Sequence, residues 1–461
     1  MAPPSRLARW IAPTHLALAA ILAIGAVACL VVSLPGQFSP DSIWQLQQGR
    51  SGVYNSWHPP VMAWLLGLFD RLQPGAPGFV MFDCLLGYGG LFAFAALAPR
   101  PRWIAVVMAG LLCASPLLLI YQGDVWKDVL FADASLAGFA ALTWAARLWP
   151  SRRARIGLIG LAVVLFVLAS LTRQNGLVVL AWGAVGAGAL AWRERRRAGP
   201  AIAVGGVALA LGLAGVVSAS LALAARGDGE PAQAQQLELL QAWDLSGAVH
   251  DAPGLPLPAL RQGGPTTEAF TRGAATSWTP ERLDGLLGLP GEPKALDDAG
   301  PAVNRQWRAL VLGRPDLYVR VRLADFGDLI ATPNLMACRP LFVGIDGPPA
   351  SLKALGLAQR HRPVDAWARR YSLAFVGTPV LSHLVYGALA LVLLILAALD
   401  LRWPDAGDRI AVVALLASAL TFTASFLVIG VACDYRYIYF LDLAAMAALL
   451  HRAAVGFRPA T

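Results

Sequence analysis

The stretch THLALAAILAIGAVACLVVSL, residues 14–34, is the first of several apolar runs long enough to cross a lipid bilayer. A membrane-spanning helix needs about 20 apolar residues, because each residue adds only about 1.5 Å to its length. Nine further segments meet or approach this length: 77–98, 103–121, 129–147, 156–171, 176–192, 200–224, 380–399, 409–430 and 436–455. The sequence therefore predicts an all-α polytopic membrane protein with about ten transmembrane helices.

The composition of the chain agrees with this interpretation. Of its 461 residues, 57% are apolar and 14% are charged, whereas a soluble domain usually carries about 25% charged residues. This apolar excess needs lipid around it, which excludes a soluble enzyme and a disordered chain. The five cysteines form no C-x-x-C pair, which argues against a zinc module. No Walker motif is present, so we expect no use of ATP.

The basic residues predict the orientation of the spans. If ten spans alternate from a cytoplasmic N-terminus, the cytoplasmic segments hold sixteen arginines and four acids, whereas the loop 226–379 holds sixteen residues of each sign. Positive residues are enriched on the cytoplasmic side of membrane proteins. The net charge of +9 is therefore a topology signal rather than a footprint for nucleic acid, and both termini are expected in the cytoplasm. Arg6 and Arg9 precede the first run and no small-residue cleavage site follows it, so we expect a retained helix.

These assignments divide the chain into three parts. Residues 1–225 form an N-terminal module of seven spans, 226–379 an insertion on the outer face, and 380–461 a C-terminal module of three spans. The insertion is expected to be mostly helical or irregular, with helical stretches at 232–244 and 304–331. In the first outer loop, the amphipathic stretch Val61–Leu72 is expected to form a helix that lies flat on the membrane surface.

Unusual polar residues gather in four loops that this topology places on the outer face. Ionisable residues at membrane depth are costly and usually mark function, so the four loops predict one outward-facing site. The candidate residues are Asp41, Trp44, Trp57 and His58 in the first loop, Tyr121, Asp124, Trp126, Lys127 and Asp128 in the second, Arg173 and Asn175 in the third, and Asp434 and Arg436 in the last.

The acids of this set have two interpretations each. Asp41 is a candidate general base or a ligand to a divalent cation such as Mg²⁺ or Mn²⁺, but it also follows Pro40 where a helix cap would lie. Asp124 and Asp128 lie four residues apart, so on a helix they would share one face as candidate catalytic acids. They would equally complement the dipole of a helix N-terminus.

The remaining candidates suit a phosphate or a sugar. Arg173 and Arg436 are isolated near span boundaries, and an arginine fork fits a phosphate group; a structural salt bridge between Arg436 and Asp434 is the alternative. His58 is either a turn residue before two prolines or a ligand to phosphate or metal. Lys127 is the only lysine outside the insertion, and Trp126 suits either a sugar ring or a membrane interface. Cys338 and Cys433 are both expected on the oxidising outer face, where they could form a disulfide.

Several of these motifs resemble those of the GT-C superfamily of membrane glycosyltransferases, the class that contains protein O-mannosyltransferases and lipid A aminoarabinose transferases. The matching segments are Asp41, His58-Pro59-Pro60 followed by Val61–Leu72, Ala114-Ser115-Pro116-Leu117, Trp126–Phe131 and Leu171–Gly176. The double acid common in these families is a single acid here, Asp41-Ser42. The resemblance covers residues 1–200, and 380–461 by layout, while we assign no resemblance to 226–379.

The resemblance implies a bacterial glycosyltransferase of the cytoplasmic membrane that moves a hexose or pentose from a polyprenyl-phosphate donor. The acceptor would be a lipid, a glycan or a protein at the outer face, with no ATP and no nucleic acid involved. Two alternatives remain open: a polysaccharide polymerase or ligase, and a flippase or transporter of lipid-linked sugars, although no internal repeat supports the transporter.

Overall fold

The computed structural model describes residues 12–229, 232–262, 265–282, 300–338, 341–403 and 407–456. In chain order the helices are α1 (Pro13–Ser33), α2 (Pro40–Ser51), α3 (Val61–Leu72), α4 (Pro77–Ala95), α5 (Trp103–Ala114), α6 (Pro116–Leu119), α7 (Lys127–Arg147), α8 (Arg152–Thr172), α9 (Leu177–Arg195), α10 (Ala198–Ala224), α11 (Ala232–Asp251), α12 (Pro258–Gln262), α13 (Pro265–Ser277), α14 (Gly300–Gly313), α15 (Pro315–Ala331), α16 (Leu335–Cys338), α17 (Pro349–Ala354), α18 (Pro363–Leu373), α19 (His383–Asp400), α20 (Gly407–Ile429) and α21 (Tyr439–Val455). Arg6, Arg9, Asp405 and Arg458, which entered the charge argument, lie outside the described residues.

The described helices confirm an all-α polytopic membrane protein. Nine of them are long and apolar enough to cross a bilayer, and the segment formed by α5 and Pro116–Gly123 makes a tenth if it is taken as one span. This segment was predicted as a continuous run, 103–121, but it bends by 64°. The bend falls at Pro116, which lacks the N–H that a continuous helix would use. The Ser115 hydroxyl caps the short helix that follows by accepting from the Leu118 N–H.

The centre of the bundle is α7. Most of its residues are buried, and it packs against α4, α8, α20 and α21. A helix that is apolar on all sides belongs in the middle of a bundle, whereas the helices around it keep one face for lipid. Its N-terminal turn lies beside the turn that precedes α21, where Arg436 comes within 3.9 Å of Asp128.

The insertion has a hydrophobic core of its own. Trp243 on α11 packs with Trp278, Leu310 and Val321 in a cluster built by α11, α13, α14 and α15. The predicted helical stretch 304–331 is broken in two, because Pro315 starts a new helix. This core covers residues 239–321, whereas Ile345, Leu352 and Leu355 pack into the core of the bundle, so the boundaries at 226 and 379 stay a prediction.

Several links hold the insertion against the bundle, among them a backbone pairing and a disulfide. Residues 344–346 pair with the segment after α1, where Phe38 N–H donates to Gly344 O at 2.9 Å and Asp346 N–H donates to Phe38 O at 3.0 Å. Cys338 and Cys433 are joined in a disulfide, as the sequence suggested. Both links lie at the end of the bundle that carries the four polar loops, so the insertion covers these loops.

Candidate active site

Asp41 lies in the first turn of α2. Ser39 occupies the N-cap position and Pro40 supplies the fixed φ that suits the first helical residue, so the carboxylate is free for other contacts. Its Oδ2 accepts a hydrogen bond from Arg436 Nη1 at 2.6 Å. Its Oδ1 lies 3.7 Å from His58 Nε2. The Asp41 carboxylate therefore faces both Arg436 and His58, and it does not cap the helix.

The carboxylate of Asp41 is ionised and accessible. Burial opposes its ionisation, but the positive charge of Arg436 beside it outweighs burial and holds the pKa of Asp41 well below its usual range. About a third of its side chain, 34%, remains exposed. A small molecule can thus reach an anionic oxygen at this position.

His58 connects Asp41 to Lys127. The His58 Nδ1 lies 3.1 Å from Lys127 Nζ, and an ammonium only donates, so Nδ1 accepts and the ring proton of neutral His58 lies on Nε2, facing Asp41. Burial, followed by the nearby positive charge of Lys127, lowers the pKa of His58 to about 4. His58 is therefore neutral at pH 7, and its Nε2–H faces Asp41 from 3.7 Å.

Arg436 lies at the centre of the site, in the short turn before α21. Besides its bond to Asp41, its Nε donates to Asp434 Oδ2 at 2.8 Å and lies 3.9 Å from Asp128 Oδ2. Its guanidinium stacks over the Trp126 ring at 5.2 Å from the ring centre. The salt bridge between Arg436 and Asp434 therefore forms, and the same guanidinium also reaches Asp41.

Beneath this layer, Asp128 forms a buried ion pair with Arg173. Arg173 lies over the rings of Tyr437 at 5.2 Å and Phe426 at 5.4 Å. Burial lowers the pKa of Arg173 to about 10, which leaves it charged at pH 7. The opposite charges of Asp128 and Arg173 neutralise each other, and the ion pair holds the start of α7 against the turn after α8.

A cavity of about 250 Å³ opens over Asp41 and Arg436. The bundle contributes one wall and the insertion contributes the other. The lining residues are Ser39, Pro40, Asp41, Trp126, Ala432, Asp434, Arg436 and Tyr437 from the bundle loops, and Glu281, Arg282, Ala337 and Phe342 from the insertion. We call this space the site cavity; it has a polar floor with two acids and one arginine from the bundle.

Four of the thirteen candidate residues line the site cavity, namely Asp41, Trp126, Asp434 and Arg436. His58, Lys127, Asp128 and Arg173 contact these residues or one another behind the lining, whereas Trp44, Trp57 and Asn175 make other contacts. Trp44 is 53% exposed on α2. Trp57 packs against the core of the insertion. Asn175 donates to Ser425 Oγ at 2.8 Å and thereby ties the turn after α8 to α20. None of the three lines the cavity, and their assignment to substrate binding stays a prediction.

The second loop differs from its predicted form. α7 begins only at Lys127, and Asp124 lies before it with extended backbone, so Asp124 and Asp128 do not share a helical face. Asp124 is buried, and burial raises its pKa well above the usual range. Tyr121 is also buried, with its ring 5.3 Å from that of Trp126. Tyr121 and Asp124 therefore lie below the site cavity, and Trp126 separates Tyr121 from it.

Eight lining residues were not among the candidates, and two of them, Ala337 and Ala432, have only small apolar side chains. Ser39, Pro40 and Tyr437 lie in loops that were predicted to form the site because of their charged neighbours Asp41 and Arg436. Glu281, Arg282 and Phe342 come from the insertion, where no motif marks them. Glu281 reaches the cavity because its carbonyl accepts from the Cys433 N–H at 3.1 Å, beside the disulfide.

The protein side chains at Asp41 do not fit a divalent cation by themselves. Within the described ranges, no three His, Cys, Asp or Glu side chains converge on one point. One oxygen of Asp41 is hydrogen-bonded to Arg436, and the nearby His58 nitrogen carries a proton instead of a free lone pair.

The fold and the site define a polytopic helical membrane protein with a charged cavity at one end of its bundle. No family model matches the sequence, and no curated protein matches it. The chain is similar to solved structures of the oligosaccharyltransferase AglB from Archaeoglobus fulgidus. With the complex containing an inhibitory peptide and a dolichol-phosphate, the TM-score is 0.41 at 12% identity, covering 95% of this chain and 50% of that one.

Two further structures of the same archaeal enzyme give comparable values. The one tethered to an acceptor peptide has a TM-score of 0.40 at 10% identity, over 95% of this chain and 49% of that one. The complex with Zn and sulfate has a TM-score of 0.37 at 12% identity, and the match covers 93% of this chain and 48% of that one. This chain thus spans about half the length of the proteins it matches. TM-scores of this size do not establish a common fold.

Proposed function

We propose that the protein is a membrane glycosyltransferase that moves a sugar from a polyprenyl-phosphate donor to a lipid, glycan or protein acceptor. The observation that carries the proposal is the contact between an ionised, accessible Asp41 and Arg436 in the site cavity at the end of the bundle. The motifs that resemble the GT-C superfamily include Asp41 itself and the His58-Pro59-Pro60 stretch. The proposed site is on the outer face of a bacterial cytoplasmic membrane.

In the proposed reaction, the donor phosphate binds Arg436. The bond between the anomeric carbon and the phosphate oxygen breaks, and the bond between that carbon and the acceptor hydroxyl oxygen forms. The hydroxyl proton passes to Asp41, and polyprenyl phosphate leaves with the electron pair of the broken bond. The guanidinium stabilises the negative charge that develops on the leaving phosphate, and the nearby carboxylates stabilise the positive charge on the sugar.

The two roles are coupled through the Asp41–Arg436 hydrogen bond. In the free protein, Arg436 holds the pKa of Asp41 so low that the carboxylate is a weak base. A donor phosphate competes for the same guanidinium, which weakens its hold on Asp41 and makes the carboxylate more basic. His58 keeps its Nε2–H directed at Asp41 and so orients the base. Donor binding thus prepares the base for the acceptor.

The disulfide supports the proposed orientation. Cys338–Cys433 lies at the same end of the bundle as the site cavity, and disulfides persist in oxidising compartments. The arginine clusters lie at the opposite end, which the positive-inside rule assigns to the cytoplasm. Both observations favour a site cavity that faces outward.

The proposal is tested with purified protein in proteoliposomes that contain radiolabelled hexose or pentose donors on polyprenyl phosphate. We expect label transfer by the wild type, and a loss of about 100-fold or more in Arg436→Gln because one electrostatic contact to the transition state is removed. The control is Arg50→Gln, since Arg50 forms a similar ion pair with Asp70 at 2.7 Å outside the site cavity. Equal rates in both variants, or transfer only from a polyprenyl-diphosphate glycan, would contradict the proposal.

A further inference from the structure

The end of the bundle opposite the insertion carries a second polar cavity, of about 410 Å³. It lies between the loop before α5, the C-terminal ends of α7 and α9, and the start of α20. Five arginines and two acids line it: Arg100, Arg102, Arg147, Arg193 and Arg409, with Glu194 and Asp408. We call it the basic cavity. None of its residues belongs to the proposed glycosyltransferase site.

Part of the positive charge in the basic cavity is uncompensated. Asp408 is paired with Arg409 at 2.8 Å, which neutralises both. Arg193 donates to a main-chain oxygen, Leu401 O, at 3.2 Å and keeps its charge. In the described part of the chain, the side chains of Arg100 and Arg102 form no ion pair or hydrogen bond. The cavity therefore presents several guanidinium groups to an anion, and such groups bind a phosphate by parallel hydrogen bonds.

An apolar groove of about 270 Å³ adjoins the basic cavity, and Arg193 lines both. The groove follows α9 from Trp182 to Trp192 along the facing side of α20, and Arg193 and Arg196 lie beyond its Trp192 end. Trp192 and Val185 on this face are about half exposed, as expected where lipid covers a helix. An apolar groove thus leads directly into a cluster of arginines.

We propose that the basic cavity and the apolar groove together bind an anionic phospholipid. Its phosphate would lie among the arginines, and one acyl chain would lie in the groove between α9 and α20. The basic cavity alone would suit any phosphate, but the groove continuing from Arg193 matches a molecule with a charged head and an apolar chain. Basic pockets between transmembrane helices at the membrane interface are suited to such headgroups. This inference does not depend on the sugar-transfer proposal.

The test uses detergent-solubilised full-length protein titrated in a calorimeter with three probes: dioctanoyl phosphatidylglycerol, dioctanoyl phosphatidylcholine and inorganic phosphate. We expect saturable binding of phosphatidylglycerol, and affinities at least tenfold weaker for the other two. Each arginine near a membrane surface contributes about a fivefold factor in affinity for an anionic lipid. The double variant Arg100→Gln with Arg102→Gln should therefore bind phosphatidylglycerol about 25-fold more weakly.

Two further variants separate the sources of affinity. Arg152→Gln with Arg153→Gln removes two exposed arginines of the same end that do not line the basic cavity, and its affinity should stay within twofold of the wild type. Ala189→Trp fills the groove and should weaken phosphatidylglycerol at least tenfold without changing phosphate binding. Equal affinity for both lipids, phosphate binding as tight as that of phosphatidylglycerol, or equal losses in the two arginine double variants would overturn the proposal.

Discussion

The contact between Asp41 and Arg436 joins residues 395 positions apart and sets the chemistry of the site cavity. A carboxylate held by a guanidinium is a good anion but a poor base, so the pair is suited to a reaction in which the substrate itself takes the guanidinium. Trp126 supports the arrangement from below, because its indole N–H donates to Ser39 Oγ at 2.9 Å and its face carries Arg436. The charge of the bound substrate, rather than a second proton-carrying side chain of the protein, would control the basicity of Asp41.

His58 predicts a distinct pH dependence of stability. Its folded pKa of about 4 lies below the ordinary value of 6.5, so between these values the unfolded chain binds a proton that the folded protein does not. Stability is then lost as the pH falls from 6.5 toward 4, by up to about 1.4 kcal/mol per pH unit. We expect His58→Gln to show a flatter fall of Tm over this range than the wild type, measured by thermal unfolding in detergent. Identical pH profiles of the two proteins would show that His58 is not held neutral by burial.

At the residue scale, the sequence indicated the charged members of the site but not their arrangement. Asp41, Lys127 and Arg436 stood out because charge is rare near spans. Trp44 looked equivalent to Trp126, yet one is exposed and the other carries Arg436. The difference depends on which face of each loop packs downward, and a local pattern of residue types does not record that.

Among the elements, α7 links the site to the core of the bundle. Its first turn supplies Lys127 to His58 and Asp128 to Arg173, and the rest of the helix is buried between spans from both ends of the chain. The Asp128–Arg173 pair lies where neither charge has contact with bulk water. We therefore assign it to positioning α7 rather than to accepting a proton.

This assignment predicts a compensating pair of substitutions. Asp128→Leu alone leaves Arg173 buried and unpaired, which should cost about 3 kcal/mol of folding free energy. Adding Arg173→Met removes the orphaned charge, so the double variant should recover most of the lost stability, since apolar replacement of a buried pair is often neutral. Thermal unfolding of the two variants in detergent measures the effect. A double variant less stable than the single one would contradict the positioning role.

The positions of the helices were largely predictable from the sequence. The breaks within them, and the insertion residues that line the site cavity, were not. Long apolar runs fixed the spans, and the amphipathic stretch Val61–Leu72 forms a helix with the same bounds as predicted. Pro116 and Pro315 divide segments that apolar periodicity alone presents as continuous. The approach of Glu281 and Phe342 to the site cavity arises from packing and a disulfide between distant segments, for which a single sequence gives no local signal.

For the whole molecule, the charge asymmetry predicts that the insertion and the site cavity face outward and the basic cavity faces the cytoplasm. We expect a membrane-impermeant maleimide added to intact bacterial cells to label Leu312→Cys, which is 83% exposed on the insertion. Arg153→Cys, exposed at the opposite end, should react only after the membrane is permeabilised. The native thiols Cys29, Cys84 and Cys113 are buried and give little background. The reverse labelling pattern would invert the topology.

The most direct measurement is the rate of sugar transfer by Asp41→Asn relative to Asp70→Asn, in proteoliposomes containing a polyprenyl-phosphate donor used by the wild type. Both substitutions remove one arginine-paired carboxylate from the first loop, but only Asp41 lines the site cavity. Loss of a general base typically costs about 100-fold to 10,000-fold in rate. We predict a loss of that size for Asp41→Asn and a rate within about threefold of the wild type for Asp70→Asn. Transfer by Asp41→Asn at the wild-type rate would contradict it.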